Sequence, residues 1–152
     1  MIWEVEISTS VALERFTIHS DTCHLPQKMS PKHLETVASA VIGQTMRRLP
    51  DSIRSAAGEC LVEVAWMESS ALNEEGLSDD LLGLFEGCTH GEDHHAASLG
   101  DLPRIRLFLD NLWGYAGRDR VQFREEVRIT LLHELGHYLG LNEQQVEALG
   151  LA

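Results

Sequence analysis

Two histidines stand four residues apart near the end of this 152-residue chain, in TLLHELGHYLGLNEQQ, residues 130–145. An α-helix turns about 100° per residue, so His133 and His137 share one face, one turn apart. From there both imidazoles can reach a single tetrahedral cation. Glu134 lies beside the first histidine and can reach a water at such an ion without ligating it. A zinc ion lowers the pKa of that water to about 7, and a carboxylate so placed can take its proton. The competing explanation is chance, because H-E-x-x-H can arise on any polar helix face. Leu135 and Gly136, between the motif residues, read as core and small.

Two histidines do not hold an ion alone. Glu143 follows His133 by ten residues, and in a continuous helix it would lie ~15 Å further along the axis and ~80° off the face. Gly140 changes this, since a glycine in the left-handed conformation lets the chain leave the helix and turn back. Glu143 is therefore the expected third ligand, with Glu147 in reserve. An acid at that place could equally serve the N-terminus of a following helix through the dipole.

These residues need elements to position them. The motif lies on a helix expected from about Asp119, with Asp119 and Gln122 as a capping box and Val127, Leu131, Leu135 and Tyr138 or Leu139 as its apolar stripe. Gly140 ends that helix, and a short one follows over 143–149. Upstream, residues 2–8 alternate apolar and polar, and 15–19 do so more briefly; both read as strands that could pair as a hairpin. Ser30 and Pro31 open a helix whose apolar positions run from Leu34 to Leu49, and Pro50 stops it. CLVEVAWM (60–67) reads as a strand with Val62, Val64 and Trp66 on one face. Some thirty irregular residues follow, including DDLLGLFEG and CTHGEDHH. RIRLFLD (104–110) reads as a strand with Ile105, Leu107 and Leu109 on one face, and NLWGYAGR as a turn. The order of strands and helices predicts an α+β fold.

Bulk composition sets the frame. The length suits one domain, 1–152, with a real core. A net charge of −12 argues against nucleic acid or an anionic membrane as the main partner. No signal-like or membrane-spanning run is visible. Cys23, Cys60 and Cys88 are odd in number and widely spaced, so no disulfide framework is expected, and a reducing cytoplasm fits.

HELGHYLGLNE resembles the extended zincin motif H-E-x-x-H-x-x-G-x-x-(H/D). More closely, residues 30–152 resemble the small bacterial zincin-like minimal metallopeptidases, through LLGLFEG (81–87), LPRIRLFLDNL (102–112) and EEVRITLLHELGHYLGLNEQQVEALG (125–150). Residues 1–29 stand outside the resemblance, as an N-terminal strand or hairpin extension. The resemblance implies a small mixed sheet packed on two main helices, the C-terminal one carrying the motif. It also implies Zn2+ on His133, His137 and the residue at position 143, with peptidase activity on a peptide or protein substrate. The family usually has aspartate where this chain has Glu143.

Other features are weaker. RIRLFLD resembles the zincin edge strand, which could hold a peptide by strand addition; an ordinary strand fits as well. His90, His94 and His95, with Glu92 and Asp93, read as a solvated loop, or as a second metal site. Tyr115, Tyr138, Arg106 and Arg118 are candidate stabilisers of a developing oxyanion, and none stands out. The expectation is a zinc-dependent hydrolase with Glu134 as general base. Two alternatives are a zinc-binding interaction module with a vestigial site, and a non-haem iron enzyme, since two histidines and a carboxylate also suit Fe(II).

Overall fold

Ser30 accepts a hydrogen bond from the His33 amide and Pro31 takes the first helical position, so α1 (Pro31–Arg48) starts where the sequence predicts. Coordinates come from a computed structural model, which describes residues 2–4, 29–67, 78–92 and 102–149. Leu34, Val37, Ala38 and Val41 form the buried stripe of α1. Pro50 ends that helix and at once leads into a second, α2 (Asp51–Ala57). The sequence reading did not separate α2, because seven residues are too few for a clear helical period.

Among the described residues, four strands make one mixed sheet: β1 (Ile2–Glu4), β2 (Leu61–Ala65), β3 (Gly83–Glu86) and β4 (Arg104–Phe108), in the order β1-β3-β4-β2. β2 and β4 run parallel, while β3 is antiparallel to both β4 and β1. Alternation along β4 is as expected. Ile105 and Leu107 enter the main core with Phe85, whereas Phe108 joins Leu81 and Leu84 in a smaller cluster on the other face. Arg106 shares that second face and donates from Nε to Glu86 at 2.8 Å.

Three differences from the sequence reading concern this sheet. RIRLFLD is not an edge strand, because β4 lies between β3 and β2. From Leu109 the chain is helical, so NLWGYAGR falls mostly in α3 (Leu109–Tyr115) rather than in a turn. GLFE, inside the stretch read as irregular, forms β3. Four residues with one glycine carry too little alternation to be seen as a strand. Tertiary contacts define it: the Phe108 amide donates to the Leu82 carbonyl at 2.9 Å, and Asn111 donates to the Leu81 carbonyl at 2.7 Å. The 15–19 strand and the rest of the suggested hairpin lie outside the described residues.

The main core fills the space between the sheet and two long helices, α1 and α4 (Arg120–Tyr138). Asp119 caps α4 by accepting from the amides of Val121 (2.8 Å) and Gln122 (2.9 Å), while its own amide donates to Ala116. Phe123, Val127, Leu131, Leu135 and Tyr138 turn inward. Burying each such side chain stabilises by about 1.5–3 kcal/mol, which fixes the rotation of α4 and hence the direction in which its other face points. Cys60 is buried at the start of β2, and that burial pushes its thiol up to about 12, so it is an inert core residue. No described helix is long and apolar enough to cross a membrane.

Candidate metal centre

The C-terminal end of α4 is a Schellman motif. Gly140 adopts φ 85°, the Gly140 amide donates to the His137 carbonyl at 2.9 Å, and the Leu141 amide donates to the Gly136 carbonyl at 3.0 Å. A β-carbon on residue 140 would be strained at that φ whatever the space around it. The chain then reverses into α5 (Glu143–Ala148), opened by a capping box. Asn142 accepts from the Gln145 amide at 3.0 Å, and the Gln145 side chain accepts from the Asn142 amide at 2.9 Å. Gly136 allows the return, since a β-carbon there would lie 3.0 Å from Cγ2 of buried Val146. The two glycines thus do different work. One turns the chain and the other leaves room for α5 against α4.

Glu143 is the first residue of α5, and the reversal lays it over the two histidines. His133 Nε2 and His137 Nε2 are 3.0 Å apart. Glu143 Oε1 is 3.3 Å from His133 Nε2, and Oε2 is 3.1 Å from His137 Nε2. One ligand atom from each residue therefore converges on one point. The histidines are buried, and Glu143 closes the group from the solvent side. Glu147, the reserve ligand, lies exposed on α5 outside this group.

The donor set suits a divalent cation. Ligand atoms held tetrahedrally at zinc distances are about 3.3 Å apart, close to the separations seen. His137 Nδ1–H donates to the Leu141 carbonyl at 3.0 Å, which fixes the tautomer and leaves the Nε2 lone pair for a metal. That lone pair is aimed at His133 Nε2, an arrangement that a proton or a cation between them relieves. The Schellman turn supplies the Leu141 carbonyl, so the same reversal orients one histidine and delivers the carboxylate.

Glu134 is fully buried, and neither carboxylate oxygen has a hydrogen-bond partner. Burial raises its pKa to about 8. The Phe85 backbone amide pulls it part of the way down without meeting either oxygen in a hydrogen bond, and the Glu143 charge adds a smaller upward push. A buried carboxyl without a partner is costly and is usually kept for a reason connected with chemistry. β3 lies directly on it: a β-carbon at Gly83 would come within 3.0 Å of Glu134 Oε1 and 2.7 Å of Thr130 Cγ2. The sequence reading missed this role of β3, and the only local signal was a lone glycine in an apolar run.

The remaining suggestions separate. Tyr138 points into the core and donates to the Ala56 carbonyl at 3.2 Å, away from the ligand face, so it is not an oxyanion stabiliser. Arg106 is engaged with Glu86 on the far face of the sheet. Tyr115 is half-exposed on α3, and Arg118 follows that helix with φ 58°. His90 donates its amide to the Tyr138 carbonyl at 2.7 Å and lies 3.5 Å from Glu59, which makes it a fastener for the end of α4. Asp93, His94 and His95 lie outside the described residues.

Comparison with known proteins adds one positive finding. Residues 59–151 match the family described as zincin-like metallopeptidases. No curated protein shows significant similarity to the chain.

Proposed function

The chain belongs to the zincin-like metallopeptidase family, and on that premise we propose that it is a zinc-dependent peptidase in which His133, His137 and Glu143 hold the metal and Glu134 is the general base. When bound, zinc supplies a Lewis acid that polarises a scissile carbonyl and eases the deprotonation of a water. Glu134 accepts the proton of the attacking water and returns it to the departing amine. Burial pushes the pKa of this carboxyl up and a bound cation beside it would pull it down, and a carboxyl balanced in that way can both take and give a proton. The Leu141 carbonyl holds His137 in the ligating tautomer, and the capping box holds Glu143 in place. The substrate is a peptide or protein segment.

One observation carries this reading: three ligand atoms converge beside a buried carboxyl that has no partner of its own. A purely structural zinc site explains the convergence but not Glu134, and it normally closes with four protein ligands, whereas the group among the described residues has three. An iron site of the same donor set would also leave Glu134 without work.

The test is Glu134→Gln in the full chain. Zinc content should stay at about one ion per chain, while hydrolysis of peptide substrates should fall by about 10²–10⁴-fold. His133→Ala should lose both. Undiminished hydrolysis by Glu134→Gln, or wild-type protein that takes up no zinc on titration, overturns the proposal.

A further inference from the structure

Resting on that reading, we infer that the N-terminal strand β1 is a built-in occupant of the edge at which an extended substrate peptide would pair, and that it must leave before such a peptide can bind. β3 is the strand that touches Glu134, through the backbone at Gly83. One edge of β3 is taken by β4. Its other edge is taken by β1, in antiparallel register with Ile2 opposite Glu86, Trp3 opposite Phe85 and Glu4 opposite Leu84. Without β1, β3 would be an edge strand with unpaired amides and carbonyls beside the candidate general base. Such an edge captures extended segments by main-chain hydrogen bonding.

Two features mark β1 as an occupant rather than a fixed part of the sheet. It lies outside residues 59–151, which match the family, whereas β3 lies inside them. Its register also sets Glu4 opposite Leu84, one residue from Gly83, so the segment reaches the end of β3 that touches Glu134. A substrate strand and β1 would compete for the same backbone groups. The N-terminus then restrains hydrolysis and favours substrates able to displace it.

The experiment uses the full-length, zinc-loaded protein and its Trp3→Pro/Glu4→Pro double variant. Two prolines remove an amide from either phase of the alternating ladder. In the variant, hydrogen exchange at the Phe85 amide, which faces β1, should quicken at least tenfold, with the Leu84 and Glu86 amides, which face β4, and exchange across 120–138 as the controls for folding. A fluorescein-labelled peptide of residues 1–8, MIWEVEIS, is titrated into both proteins in a Glu134→Gln background so that it is not consumed. It should bind the double variant at least tenfold more tightly. Hydrolysis of unstructured peptides by the otherwise wild-type double variant should rise at least fivefold, mainly through KM. Equal exchange at the Phe85 amide in both proteins, or equal peptide affinity, overturns the inference. So does faster exchange with unchanged hydrolysis. Absence of hydrolysis in both proteins counts against the peptidase reading instead, and exchange and peptide binding then decide the place of β1.

Discussion

A single β-carbon at Gly83 would meet Thr130 and Glu134 at 3.0 Å or less. Thr130 is buried and short, so it cannot swing aside, and the pressure falls on the Glu134 carboxyl or on β3 itself. Gly83→Ala is therefore expected to cost about 1–3 kcal/mol in urea unfolding. It should also lower kcat by tenfold or more through misplacement of the base, with zinc stoichiometry unchanged. An unaltered kcat would mean that Glu134 is not held by that contact. Glu143 shows the limit of residue-level reading. Glutamate in place of aspartate raised a question of reach, and the longer arm meets both histidines at 3.1–3.3 Å because it starts from the first residue of α5.

At the scale of elements, the turn between α4 and α5 is the decisive construction. It satisfies the last carbonyls of α4, gives Leu141 to His137 and starts α5 on a capping box. Asn142→Ala removes one half of that box. The expected loss is about 1 kcal/mol of stability, together with a 10–100-fold weaker zinc affinity, as for other residues that orient ligands. Competition with a chelator of known affinity measures it, and Asn142→Ser should restore most of the loss. Equal affinity in Asn142→Ala would show that Glu143 is positioned by something other than the cap. The capping residues of α1 and α4 were legible in sequence, because Ser30 and Asp119 act on amides two or three residues away. β3 was not, because its backbone partners lie about twenty residues or more away, and α3 was not, because seven residues carry too little helical period.

For the whole molecule, the site ties α5 to the core helix α4. A cation bound only in the folded state stabilises by mass action, by about 2.7 kcal/mol when present at 100 times its dissociation constant. For a chain of this size that is a rise in Tm of about 5–10 °C. Calorimetry of zinc-loaded and chelator-stripped protein should show that difference, and it should vanish in His137→Ala. A Tm indifferent to zinc in the wild type would count against a site of useful affinity. The acidic surface, at a net charge of −12, adds a general attraction for cations, so the His137→Ala control separates the site from the surface.

The sequence by itself determined what is local. A helical period puts His133, Glu134 and His137 on one turn, and a glycine specifies where the chain leaves the helix. An apolar stripe says which face of α4 is inward. These follow from backbone geometry within a few residues, and the family resemblance, carried by the same stretches, holds over residues 59–151. Only the tertiary structure decided what depends on distant chain segments meeting: that Glu143 closes on the two histidines, that Gly83 of β3 packs against Glu134, and that the outer edge of β3 is covered by Ile2–Glu4. Strand neighbours are chosen by packing across the whole sheet, and four residues of β3 carry no local mark of whom they will pair with.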